Sequence, residues 1–201
     1  EQLGWELGSK DVEVQLVNSA IVSMSIDGQR VTNPIGFQGR ELLIQLYTAF
    51  APLVHIGAIE QVSKELELQL VAVTAEPFAV ARSVIGDDAA SSFSAVLIDV
   101  GGGTTDIAIV NDGGVEGTKM FGIGGRSFTR TLANELGTDF EKAEQLKVSL
   151  SGDALPGKRR TAVENALSKT LDVWLSGVEL ALSEFDKLEH LPRKILLCGG
   201  G

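Results

Sequence analysis

Cysteine is almost missing from this sequence: Cys198 is the only one in 201 residues. An internal disulfide and a multi-cysteine metal site are therefore both excluded, as suits a reducing cytosol. Histidine is nearly as scarce, and His55 and His190 stand far apart, each read as a surface or packing residue. No apolar run reaches the ~18–20 residues of a membrane span, and Glu1 opens nothing that reads as a signal peptide. Positive charge is also short. Seventeen Lys and Arg against 27 Asp and Glu leave a net charge of -10, with a pI near 4.7. A surface of that sign repels nucleic acid and anionic lipid, so no nucleic-acid partner is expected. The one basic cluster, Lys158-Arg159-Arg160, reads as a solvated helix start.

What remains is an ordinary globular composition, 44% hydrophobic and 22% charged, enough for one large domain or two small ones. Both ends look cut: no Met stands at position 1, and Leu196 to Gly201 break off at a strand end entering a glycine turn. The chain reads as a piece of a longer one. Residues 12–26 alternate apolar and polar as a strand, and Asp27-Gly28 is a hairpin signal leading into Gln29-Arg30-Val31. Asn33 to Arg40 form a structured loop held by Pro34 and two glycines. A strand resumes at Leu42, Ile44, Leu46 and Tyr47, and helical spacing covers 53–68. Leu70-Val71-Ala72-Val73 predicts a short buried strand, and Glu76-Pro77 opens a helix.

Farther on, Asp87–Ser92 reads as a loop. Ala95 to Val100, Ile107 to Val110 and Val115 to Met120 predict a three-stranded meander, its second turn at Asn111-Asp112-Gly113-Gly114. A helix from Gly124-Gly125-Arg126-Ser127 ends near Gly137, a natural C′ glycine, and Asp139–Val148 is another helix. From Thr161, apolar residues at 163, 167, 171, 174, 178, 182 and 185 mark a long amphipathic helix, and Lys194–Cys198 is a last strand.

Chemistry concentrates in Asp99-Val100-Gly101-Gly102-Gly103-Thr104-Thr105-Asp106. A carboxylate ending an apolar strand is costly unless something charged or wet meets it, and hydrated magnesium suits. Three glycines strip every Cβ from the turn, so main-chain N–H groups can approach phosphate oxygens. Thr104 and Thr105 add hydroxyls, and Asp106 a second carboxylate. The bland reading is a tight hairpin with a capping aspartate; two flanking carboxylates and paired threonines favour a nucleotide phosphate site. A mononucleotide P-loop is absent, since no Gly-Lys-Ser/Thr follows a glycine run, and Gly122 to Ser127 only half-match a dinucleotide fingerprint.

This octet resembles the second phosphate motif of the actin, Hsp70 and sugar-kinase superfamily. Glu76 to Ala81 resemble its first connecting helix, Gly124 to Phe128 its second, and Leu197 to Gly201 its adenosine motif. Within it, Ile26-Asp27-Gly28 with Val31 to Arg40 is similar to the FtsA-type cell-division family. The resemblance implies an α/β fold: a ribonuclease-H-like, actin-type ATPase lobe over 71–201, including the connecting helix and the hairpin, and part of a small α+β subdomain over 1–70. It implies ATP and Mg2+ as cofactors. Asp99 and Asp106 would be on the metal side; Gly101, Gly102, Gly103, Thr104 and Thr105 would cradle phosphates; Glu76 would orient the attacking water. Glu144 and Lys147 would lie near ribose and adenine, with Gly124, Gly125, Gly199 and Gly200 letting backbone approach the nucleotide. Glu76 has a helix-start charge as its bland alternative, and Glu144 with Lys147 read equally as an exposed i,i+3 pair.

The implied whole protein is a slow ATPase, inactive as this segment. It would form filaments with itself and tether an FtsZ-like tubulin homologue to the inner face of the cell membrane through a C-terminal helix. A pilus-assembly actin homologue and a sugar or acetate kinase share the hairpin and stand as alternatives. Glu6 to Lys10 look only faintly like the superfamily's first phosphate loop, which is expected upstream.

Overall fold

A computed structural model describes residues 12–86, 93–151, 155–185, 188 and 190–201. Glu6–Lys10 and Asp87–Ser92 therefore lie outside the described residues. The chain divides into two compact units, Glu1–Ala95 with Ala108–Gly117, and Val96–Ile107 with Thr118–Gly201.

In the first unit, β1 (Val14–Ile26) is flanked by β2 (Gln29–Val31) and β3 (Leu42–Pro52) in an antiparallel sheet of order β2-β1-β3. The first hairpin turns at Asp27 (φ 48) and Gly28 (φ 81), the two left-handed positions that a type I′ turn requires. Asp27 also fastens the loop that follows: its Oδ1 accepts from the amides of Arg40 and Glu41, each at 2.9 Å. The β1–β3 register runs from Ile26↔Leu42 to Val14↔Pro52, with irregularities at Leu16/Asn18 and Ile21/Ser23.

α1 (Leu53–Glu65) follows β3 directly. It ends earlier than the periodicity to 68 predicts, because Glu67 turns left-handed at φ 53. The short strand expected at Leu70–Val73 is not formed. The segment joins no ladder, and Val71 is 90% exposed. An apolar run becomes a strand only when a neighbour takes its amides and carbonyls; here β1 offers a side chain instead, Asn18, which binds the Thr74 hydroxyl at 2.8 Å and the Ala75 amide at 2.7 Å. α2 (Glu76–Ile85) then starts with Glu76 and Pro77 in its first turn, and Phe78 stacks on Tyr47 with ring centres 5.7 Å apart.

β4 (Ala95–Val100), β5 (Thr105–Asn111) and β6 (Gly114–Phe121) form the expected meander, and β7 (Ile195–Cys198) joins it in the order β6-β5-β4-β7. β7 is parallel to β4, pairing Val96 with Ile195 and Asp99 with Cys198. In the second unit, α3 (Gly125–Leu136), α4 (Phe140–Ser151) and α5 (Gly157–Ser183) supply the helical layer. α3 stops at Gly137 in the left-handed conformation, φ 60, as its sequence predicts. Leu132, Ala143, Val163 and Ala166 are buried together, with Leu146, Leu150 and Leu167 packed around them. The stripe on α5 is interrupted at Leu171, which is exposed.

Candidate phosphate-binding turn

The strands β4 and β5 end at Val100 and begin at Thr105, leaving four residues to reverse direction. The turn closes with one hydrogen bond, from the Gly101 amide to the Thr104 carbonyl at 2.9 Å. Its carbonyls do not face solvent. Gly101 O accepts from the Gly125 amide, and Gly102 O from the Arg126 amide, both at 2.9 Å. The first turn of α3 thereby finds acceptors for amides that no helical carbonyl can reach.

This docking decides where the turn's own donors point. In a planar trans peptide, C=O and N–H point in opposite directions. With the carbonyls of Gly101 and Gly102 fixed on α3, the amides of Gly102 and Gly103 are aimed away from it. Neither they nor the Thr104 amide has an acceptor among the described residues. Successive N–H groups without acceptors are the kind of donors that an anion takes up.

The approach of α3 to the turn requires bare backbone. A Cβ on Gly124 would stand 2.4 Å from Gly101 O and 2.9 Å from the Gly103 backbone. The end of β7 closes on the same place: the Gly201 amide donates to Val100 O at 2.8 Å, and a Cβ on Gly125 would stand 2.6 Å from Gly201 Cα. Gly199 (φ +98) passes so near that a Cβ would lie 2.6 Å from Asp99 Oδ1, whereas Gly200 is open.

Asp99 and Asp106 flank the turn, both half-buried. Burial pushes the Asp106 carboxyl up, the Thr104 hydroxyl (3.3 Å) pulls it down, and the negative charge of Asp99 raises it again. Two repelling carboxylates beside free amides fit a hydrated divalent cation. Mg2+ characteristically takes one or two carboxylates, keeps waters and shares phosphates.

Thr105 stands apart from its neighbours. Fully buried, its hydroxyl donates to Ile123 O at 2.7 Å and accepts from Trp174 Nε1 at 2.9 Å. That side chain belongs to the interior, so any contact with a ligand falls to its main chain. Thr105→Val is expected to lower unfolding free energy by ~2 kcal/mol, since it orphans one donor and one acceptor. Urea denaturation followed by Trp fluorescence reads this, and an unchanged midpoint would contradict it.

Glu144 and Lys147, on α4, do form an i,i+3 ion pair, at 3.1 Å, but it is tied to α3. Lys147 Nζ reaches Gly125 O at 3.3 Å, and the Glu144 carboxylate takes a hydrogen bond from Thr129. That bond holds Glu144 below the usual carboxylate range, burial opposes it, and Lys147 adds to the lowering. Glu76, exposed at the start of α2, belongs to the first unit, whereas the turn and the α4 pair belong to the second. Arg126, within the segment that resembles the second connecting helix, lies beside the turn, a position that its sequence context does not announce.

Comparison with known proteins follows the same residues. The family model described as "Cell division protein FtsA" matches residues 96–173. The chain is 32% identical over 195 residues to the cell division protein FtsA of Pseudomonas aeruginosa, covering 87% of this chain and 46% of that protein. To the FtsA of Rhizobium meliloti it is 30% identical over 142 residues, 70% of this chain and 32% of that one. The chain thus spans less than half of these relatives' length. Among solved structures, it is similar to the PilM-PilN type IV pilus biogenesis complex (TM-score 0.69, 18% identity, all of this chain and 53% of that one). It is also similar to the ethanolamine utilization protein EutJ of Carboxydothermus hydrogenoformans (TM-score 0.53, 24% identity, 70% and 46%). Both likenesses are of fold.

Proposed function

From the premise that this chain is an FtsA-type member of the actin superfamily, with the α/β fold of its ATPase lobe, we propose that the full protein is an ATP-dependent cytoskeletal protein of cell division. The observation that carries the reading is the run of amides at Gly102, Gly103 and Thr104 without acceptors among the described residues, between two carboxylates. Phosphoryl groups are held by such donors and by positioning, with little covalent work asked of the protein.

In this reading Gly101 to Thr105 form the phosphate cradle, with the amides of Gly102, Gly103 and Thr104 as its main-chain donors, and Asp99 and Asp106 would hold the water of a magnesium ion, which when bound would neutralise phosphate charge. Lys147 and Glu144 border the ribose and adenine. Gly124, Gly125, Gly199 and Gly200 keep side chains out of the nucleotide's path. Glu76 orients the attacking water, in a slow hydrolysis that shifts the balance between assembly states. The division into a small subdomain over 1–70 and an ATPase lobe over 71–201 belongs to the same proposal. So do self-assembly into filaments, a tubulin-like division-ring partner, and attachment at the inner face of the membrane through a segment outside this chain. Among the described residues no helix is long and apolar enough to cross a membrane. A pilus-assembly role and a small-molecule kinase would use the same turn, but the match over 96–173 favours division.

Calorimetry on the full-length protein tests the reading. Mg-ATP is expected to bind at micromolar concentration, and chelation of magnesium to weaken it strongly. No heat of binding, or binding indifferent to chelator, would refute it.

A further inference from the structure

Arg126 is the second residue of α3, and its own amide is pinned to Gly102 O at 2.9 Å, so its Cα is fixed relative to the turn. The side chain runs back alongside the two central glycines. A Cβ built on Gly103 would lie 2.6 Å from Arg126 Nη2, and one on Gly102 would lie 4.0 Å from its Cζ and Nε. A side chain at Gly103 would displace the guanidinium, whereas one at Gly102 would only touch it.

It arrives with its donors unspent. Among the described residues Arg126 has neither an ion-pair partner nor a side-chain hydrogen bond. The adjacent cation differs in this respect, since Lys147 is taken up by Glu144 and Gly125 O. An exposed guanidinium carries five N–H donors in a planar fork matched to phosphate oxygens. Beside it stand three main-chain amides equally without acceptors. Two sets of donors, one neutral and one charged, therefore adjoin Gly102 and Gly103.

We infer that Arg126 is a ligand-contacting residue of this turn, gripping the polyphosphate of a nucleotide from the α3 side. The inference rests on the proposed nucleotide site and adds a charge-bearing contact to it. The grip is on phosphate oxygens, so it acts on nucleotides and leaves the nucleoside alone.

The test compares full-length wild type, Arg126→Ala and Arg126→Lys by calorimetry with Mg-ATP and with adenosine, after thermal melts confirm equal folding. Arg126→Ala is expected to weaken Mg-ATP about tenfold or more, the scale of one lost charge-assisted contact. Adenosine binding should not change. Arg126→Lys should recover part of the loss, a point charge replacing a fork. Equal or tighter Mg-ATP binding by Arg126→Ala would overturn the inference while leaving the nucleotide site intact. An equal loss for adenosine would overturn it too, by exposing a general structural role. Failure of wild type to bind Mg-ATP would instead remove the site itself, and the inference with it.

Discussion

Gly124→Ala is expected to destabilise the protein by about 3 kcal/mol, at the upper end of what one overpacked methyl group costs. Gly124 sits at φ -146 and ψ -170, extended backbone that any residue adopts, so the cost is purely one of space. The new Cβ would meet Gly101 O at 2.4 Å and the Gly103 backbone at 2.9 Å. Both neighbours are main chain, and no rotamer change can relieve the clash. Either the turn or α3 must move, and each holds the other by the two amide–carbonyl bonds already described. The fair control is Gly137→Ala. There φ is +60 but the space around the position is open, so only left-handed strain of ~1 kcal/mol is added. Urea midpoints of the two variants should differ clearly, with Gly124→Ala the lower. Equal midpoints would mean that the turn yields freely to α3.

Asp99→Asn is expected to abolish the magnesium dependence of nucleotide binding in the full-length protein while leaving the fold intact. Asparagine keeps the shape at the end of β4 but removes the charge that a hydrated cation requires. A loss of tenfold or more in Mg-ATP affinity is the expected scale for one charged contact, with the residual binding indifferent to chelator. A second readout lies inside the protein. The charge of Asp99 raises the Asp106 carboxyl, so removing it should bring Asp106 down toward the ordinary carboxylate value. Because the raised group favours the protonated folded state, the variant should gain relative stability at pH above the Asp106 titration. Side-chain NMR titration of Asp106 checks the direction. An unmoved Asp106 with unchanged magnesium dependence would show that the two carboxylates do not act on one ion.

Much of this architecture is written locally. Asp27-Gly28 and Asp112-Gly113 both take positive φ because Asp-Gly pairs do so cheaply, and each sits between strands as alternation predicts. Gly137 ends α3 for the same reason. Leu70–Val73 could not be read correctly, since an apolar tetrapeptide says nothing about whether a neighbouring strand is available to pair with it. The overrun of α1 past Glu65 has a similar origin: Leu66 keeps the helical spacing, while the left-handed Glu67 that ends it carries no glycine signal.

At the turn, residue types alone suggest donors for phosphate, and the amides of Gly102, Gly103 and Thr104 have no acceptor among the described residues. Orientation is another matter. That the Thr105 hydroxyl turns inward to Ile123 and Trp174 depends on a helix some seventy residues later in the chain. That Arg126 lies along Gly102 and Gly103 depends on where α3 docks. Neither leaves a periodicity or spacing to detect.

The seating of α3 on the turn has an electrical result. Peptide dipoles in a helix add head to tail and leave about half a positive charge at the amino end. The peptide groups following Gly101 and Gly102 accept from that end and point the same way, so they lengthen the column by one layer. An anion at Gly103 therefore faces the pole of a twelve-residue helix handed on through two intervening amides, a field that is present before any counter-ion arrives.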